Sequence, residues 1–308
     1  MVTRNCGDEI IAESARLEIS VAIPDAFQAT IPTHERLGPR SWRFLKQAHY
    51  GGIIAGSNIL TDRLPFDRQW RLRPQDLLFA RSLVLLGAGW RSYGRHARPL
   101  GGRVLRHILS PSAIHSVRDA FTAAQLRDRG IENVRNTACV TMWRLDLERL
   151  ASLPRERAEH VVTTVNVSHR GGIDQEILAR LLKSYETVFI WPQGLDDVAY
   201  IDELAKSMPR LVVLGPTLAA YDAVLQAGPV DFVGNRLHGG IRALQKGRRA
   251  LILSLDNRAA EIARDTCLPV ISLENGLTAL DDWLGRPDPI EIVLPKPAIA
   301  AWREQFMR

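Results

Sequence analysis

The chain has 308 residues, 46% hydrophobic and 24% charged, with a net charge of +6 and a pI near 9.5. That length admits two domains of ordinary size, and no run of about 18 apolar residues offers a membrane-spanning helix. The basic excess suits an acidic substrate, an anionic membrane surface or nucleic acid, but the arginines are dispersed and no basic block with stacking aromatics occurs, so nucleic acid is not expected.

The opening MVTRNCGDEII is not read as a signal peptide, because Asp8 and Glu9 interrupt it before an apolar core develops. Asn5 to Glu9 reads as a polar turn opening a helix over 10–19, with the strand that would normally precede it curtailed. Asn5 and Asp8 are either helix caps or ligand contacts on this pattern. A short helix is expected over 41–47. Tyr50 to Ala55 reads as a strand ending in Gly56-Ser57-Asn58, a loop open to an active-site or a plain-turn reading. Ser82 to Leu86 is a buried strand ending in Gly87-Ala88-Gly89. This is half of a dinucleotide fingerprint, but Ser92 stands where the third glycine belongs, so a tight turn is the better reading. Ile114 to Val117 is a further strand, followed by Arg118-Asp119 and a helix over 120–129 that Gly130 terminates. Arg118 is then either a cation at a strand-to-helix junction or an ordinary ion-pair partner. Val134 to Met142 is expected to be extended.

Residues 144–159, charged and containing Pro154, read as a linker, giving domains at 1–150 and 151–308. The second half alternates apolar strands at 161–166, 187–191, 211–214, 230–234 and 250–253 with amphipathic helices, the signature of parallel βαβ units. A later strand at 290–294 and a final helix near 298–306 are expected, and whether that helix crosses back onto the first domain is open. Asn166, Gln193, Gly194, Thr217, Arg236, Asp256 and Asn257 all fall just after strands, at the edge where such sheets bind ligands. The three cysteines, Cys6, Cys139 and Cys267, are scattered. They suggest neither a disulfide framework nor a metal knuckle, and a reducing cytoplasm is expected.

The most informative stretch is 230–247, VDFVGNRLHGGIRALQKG. Val230, Phe232 and Val233 form a buried strand, Gly234 and Asn235 break it, and Ile241, Ala243 and Leu244 recur at helical spacing. A helix opening there presents free N–H groups and its positive dipole end. Arg236 brings a forked cation and His238 a group that titrates near neutrality. Gly239 and Gly240 would let a ligand approach the backbone. An anion site with a proton donor beside it is expected, against the plainer reading of a helix-capping arginine and an interior histidine.

The runs NCGDE, YGGIIAGSN, LVLLGAGW, HSVRD with a helix ending RGIENV, and DFVGNRLHGGIRALQKG together resemble the polysaccharide pyruvyl transferases. NTACVTMW, IWPQGLDDVAY and LDNRAAEIA resemble one bacterial branch of that family, seen beside capsule and exopolysaccharide gene clusters. The resemblance implies an α/β fold with two Rossmann-like domains facing a cleft, similar to the GT-B glycosyltransferase architecture. It implies transfer of a pyruvyl group from phosphoenolpyruvate onto a sugar as a ketal, with Arg236 and His238 functional and Arg118 in the donor site. Two departures from the family pattern stand out. The first strand is curtailed, which puts Asn5 and Asp8 in question as contacts, and Asn136-Thr137-Ala138-Cys139 replaces a Gly-Asp-Pro-like stretch.

On this reading His238 is the general acid, Arg236 and Arg118 hold the phosphate and carboxylate, and Asn5, Asp8, Ser57, Asn58, Gln193, Gly239, Gly240 and Asn257 line the substrate site. No metal or cofactor is expected, phosphoenolpyruvate being the donor substrate. The acceptor is a saccharide, and a lipid-linked one would bring the enzyme to the inner face of the membrane. Three rivals remain: a nucleotide-sugar glycosyltransferase of the same build, a non-catalytic sugar-binding partner in polysaccharide assembly, and, last, a nicotinamide dehydrogenase.

Overall fold

A computed structural model describes residues 3–47, 52–92, 99–254, 257–286 and 289–307; the side chains of Asn257, Arg258 and Asn275 are also outside the description. The chain divides into two compact units. One comprises Ile11–Trp143 with Leu294–Arg308, the other Thr3–Ile10 with Arg144–Val293. The division thus falls at Trp143–Arg144, and the C-terminal residues group with the first unit.

In the first unit four short strands run parallel in pairs. β1 (Ile53–Ala55) lies beside β2 (Val84–Leu86), and β3 (His115–Val117) beside β4 (Val134–Asn136). A bridge between Ala88 and Val117 links the pairs. Tyr50 and Gly51, expected in β1, lie outside the described residues. The extended stretch expected to run from Val134 to Met142 stops at Asn136. Ala138 sits at φ 60, a left-handed conformation that no strand continues through, and Val140–Met142 forms a 3-10 turn. The unit is closed by helix Lys296–Glu304. Trp302 is fully buried there, donates its indole N–H to Leu85 O at 2.9 Å, and meets Trp143 and Phe306 edge-on at 5.6 and 5.0 Å.

The second unit is a six-stranded, wholly parallel sheet: β5 (His160–Thr163), β6 (Thr187–Ile190), β7 (Leu211–Val213), β8 (Val230–Gly234), β9 (Ala250–Ser254) and β10 (Val270–Ser272). Its order is β10-β9-β8-β5-β6-β7. The first three strands of the unit therefore wind outward one way and the last three the other, the doubly wound Rossmann order. Central strands β8 and β9 are buried at every residue, as strands covered on both faces must be. Their apolar side chains pack with Ile177, Leu178, Leu181, Ile201 and Leu204 of the crossover helices. The strand expected at 290–294 does not form. Bracketed by Pro289 and Pro295, that segment donates the Val293 N–H to Thr266 O at 2.9 Å, and Leu294 O accepts the Lys296 N–H at 2.8 Å. The sixth strand is β10, whose three residues are half-buried or exposed at the sheet edge.

Candidate functional site

The strand order reverses between β5 and β8, and the carboxyl edge at such a switch point is where doubly wound sheets bind ligands. Three loops meet there. Thr164 follows β5; its carbonyl accepts the Asn235 N–H at 3.3 Å, and its hydroxyl accepts the Arg236 N–H at 3.2 Å. The Asn235 side chain spans Thr164 O and Asn166 N at 3.1 and 3.2 Å. Gly234 is needed because a Cβ there would strike Thr164.

Arg236 is the N-terminal cap residue of helix Leu237–Gln245, with extended φ and ψ and no side-chain cap bond. Its guanidinium is held by Asp197, which is fully buried and comes from the loop after β6. The same carboxylate accepts the Gly194 N–H at 3.0 Å through the oxygen that takes Arg236, and the Val167 N–H at 3.1 Å through the other. One acidic side chain thus ties together the loops after β5, β6 and β8. Arg236 remains 16% exposed, so part of its donor fork still faces solvent.

His238 lies half-buried in the first turn of the same helix. A layer of aromatics carries this helix. Trp191 stacks on Tyr221 at 4.0 Å, Tyr221 meets Phe232 edge-on, and the Tyr221 hydroxyl donates to Gly239 O at 2.8 Å. The two glycines answer to that packing. A Cβ on Gly239 would come within 3.1 Å of Phe232, and one on Gly240 would collide with Ile252 of β9. Their visible role is close seating of the helix on the sheet.

Asn5 belongs to this unit and caps helix Cys6–Ala22, its carbonyl accepting the Gly7 N–H at 2.8 Å. The same oxygen accepts from the Gln193 amide at 3.0 Å, while the Cys6 N–H donates to Gln193 O at 2.9 Å. An antiparallel bridge between Asn5 and Gly194 stands where a first strand was expected to be curtailed. Because Asn5 fixes the amide end of Gln193, the carbonyl end is left towards Gly239. Gln193 is only 4% exposed, and its Oε1, like Arg236 Nε, has no hydrogen-bond partner among the described residues. Each such group costs on the order of 1–3 kcal/mol unless a ligand or water completes it. Asp8 is occupied differently, accepting the Thr3 hydroxyl at 2.7 Å. Burial pushes the Cys6 thiol up to about 11, so it is no nucleophile at neutral pH.

The remaining expected residues sit elsewhere. Asn257 opens helix Asn257–Thr266 after β9, but its side chain, like Asp256 as a whole, lies outside the described residues. Ser57, Asn58 and Arg118 belong to the first unit, at the carboxyl ends of β1 and β3. Ser57 adopts φ 62 and its carbonyl accepts the Gly89 N–H at 2.9 Å; Asn58 Oδ1 is buried with no partner among the described residues. Arg118 is 3% exposed and pairs with Asp119 at 3.2 Å, while Asp119 also caps helix Ala120–Arg127 through the Thr122 N–H at 2.7 Å. This explains the Gly87-Ala88-Gly89 turn without a dinucleotide. Gly87 has φ 62, and a Cβ on Gly89 would overlap the Arg118 guanidinium.

The second unit therefore brings Asn5, Gln193, Arg236, His238 and Gly239 into one corner. The residues that sequence reasoning missed are Asp197 and Thr164. Asp197 stands three residues after Gly194 in PQGLDD, a spacing that could have marked it as an acid closing the first turn after a strand. Thr164 carries no such signal. Among the described residues no group of three or more His, Cys, Asp or Glu is placed to hold a metal ion, and no helix is long and apolar enough to cross a membrane.

Comparison with the curated proteins returns no match. Comparison with protein families matches residues 5–257, from the Asn5 cap through all the strand-end loops just described, to "Polysaccharide pyruvyl transferase". With most of its length matched, the chain belongs to the polysaccharide pyruvyl transferase family.

Proposed function

We propose that the protein moves the pyruvyl group of phosphoenolpyruvate onto two hydroxyls of a saccharide, forming a cyclic ketal and releasing phosphate. The observation that carries this reading is the position of Arg236 and His238 on the first turn of a helix at the switch point of a doubly wound sheet. There N–H groups, a fixed cation and an imidazole converge. Membership of the family supports the transfer itself.

His238 donates a proton to the methylene carbon of the donor, and positive charge develops at the adjacent carbon. One sugar hydroxyl adds to that carbon and loses its proton. A second hydroxyl then displaces phosphate, closing the ring and releasing its own proton. Arg236 is assigned to the donor's phosphate and carboxylate. A cytoplasmic site of action is part of the same proposal. The saccharide is assigned to a bacterial surface polysaccharide or its precursor.

The test is phosphate release from phosphoenolpyruvate in the presence of saccharides from the organism's own surface glycan. Turnover by the unaltered protein and its loss in His238→Ala are expected, with thermal stabilisation by phosphoenolpyruvate retained in the variant. His238→Ala turning over normally would remove the acid assignment. Stabilisation by UDP- or GDP-sugars and not by phosphoenolpyruvate would replace the whole reading with glycosyl transfer.

A further inference from the structure

Residues 24–81 of the first unit carry the two most exposed apolar side chains among the described residues, together with a concentration of cations. Helix Pro39–Gln47 has no buried residue. Trp42 holds it down, stacking on Phe79 at 5.1 Å and donating to Asp76 at 2.8 Å, and Leu45 packs on the core of the unit. At 100° per residue, a helix pinned by Trp42 and Leu45 turns Arg40, Arg43 and Phe44 outward. Phe44 is 51% exposed, and the surrounding stretch exposes Phe27 at 93%, Phe66 at 73% and Leu78 at 67%.

These segments form one packed piece. The Arg71 N–H donates to Thr33 O at 3.2 Å, His34 meets Gln69 O at 2.9 Å, and Arg73 reaches Leu37 O as well as Asp76. Three of its acids, Asp62, Asp67 and Asp76, are buried and paired with Arg129, Arg91 and Arg73. Among the described residues between 24 and 81, eight cations are exposed against two exposed acids, Asp25 and Glu35. The net positive charge of the whole protein, +6, is thus matched by the exposed residues of this stretch.

We propose that this surface docks the protein on an anionic lipid bilayer, with Phe44 and its apolar neighbours entering the headgroup–acyl boundary and the arginines meeting lipid phosphates. Cations alone would suit any polyanion. Exposed phenylalanines and Leu78 gain nothing from a solvated polyanion and gain by partial burial in lipid, which selects the membrane. The proposal stands independently of the chemistry assigned to Arg236 and His238.

The experiment is co-sedimentation of the full chain with vesicles of phosphatidylcholine and phosphatidylglycerol at 3:1, against pure phosphatidylcholine. Binding to the anionic vesicles only, weakened by 0.5 M salt, is expected. Arg40→Glu with Arg43→Glu should weaken it at least about 25-fold, from roughly fivefold per cation near a charged surface. Phe44→Ser with Phe66→Ser should weaken it several-fold at unchanged charge. Equal melting temperatures of the variants, whose altered side chains are exposed, would show that the fold is retained. No binding to anionic vesicles would overturn the proposal. So would binding that the phenylalanine variant leaves intact, above all if duplex DNA or heparin is bound as tightly, because the surface would then be a polyanion site.

Discussion

Replacing Asp197 by Asn should loosen the corner that Arg236 occupies, and the size of the effect follows from three bonds. The carboxylate accepts the Gly194 and Val167 N–H groups and pairs with Arg236. An amide keeps a single acceptor oxygen. If that oxygen stays towards Gly194 and Arg236, its NH2 is forced against the Val167 N–H, and the charge on Arg236 loses its counterpart. Breaking a fully buried pair by removing one partner costs about 3–5 kcal/mol. Because Arg236 keeps a 16% exposed route to water, a cost below that scale, about 2–3 kcal/mol, is expected. Asp197→Ala, which loses all three bonds, should approach the top of the range. For a domain of this size each kcal/mol moves the melting temperature by about 2–4 °C, so calorimetry reads the difference directly. A second readout separates positioning from bulk stability. Modification of Arg236 by phenylglyoxal, followed peptide by peptide in a mass spectrometer at a temperature where both proteins are folded, should be several-fold faster in Asp197→Asn. A variant that melts with the unaltered protein and reacts at the same rate would refute the argument that Asp197 holds the arginine.

Gly240→Ala forces a Cβ into Ile252, and overpacking of this kind should cost about 1–3 kcal/mol in urea unfolding. Trp302→Ala removes a fully buried indole bonded to Leu85 O and should cost about 3–5 kcal/mol by the same measurement. His115 gives a pH signature. Burial holds its pKa below 6.5, and the neutral ring accepts the Leu85 N–H at 3.3 Å while its other nitrogen meets Ser110 O at 2.9 Å. The unfolded chain takes up a proton near 6.5 that the folded one resists. The stability contribution is therefore full above that pH and is lost as the pH falls through the lowered folded value. Urea midpoints measured from pH 7.5 to 5 should fall, and more gently in His115→Gln.

The second unit was the more legible half because its strands are sealed on both faces and so read as unbroken apolar runs. β8 was placed residue for residue, at Val230–Gly234. What periodicity could not supply was β10, whose three residues behind Pro269 are too few to form a pattern, while the longer apolar run at 290–294 imitates a strand that has no neighbour to pair with. In the first unit, strands of three residues leave the boundaries to turn chemistry, and a left-handed alanine at 138 is invisible in the letters. At the candidate site, Arg236 and Gln193 were legible as candidates because strand-end loops are where ligands bind. Asp197 was missed because its importance lies in whom it touches across 39 residues of chain, not in its own surroundings in the sequence. The glycines at 239 and 240 show the opposite hazard. They were attributed to ligand approach, yet each sits against Phe232 or Ile252.

Asp197 also changes what Arg236 can do. A guanidinium paired with a buried carboxylate is close to neutral as seen from a distance, so Arg236 does not by itself present a full positive charge to an approaching anion. What it presents is direction, a forked donor set whose orientation is fixed before the ligand arrives, so little of its rotamer freedom remains to be lost on binding. Net attraction must then come from groups other than Arg236, among them the positive end of the helix that it opens and on which His238 sits. On the proposed chemistry this division is useful. An anion bound there favours the protonated imidazole, and that is the form needed to deliver a proton to carbon. Donor binding and acid strength are thereby coupled through one residue, while the arginine supplies geometry and Asp197 keeps that geometry from drifting.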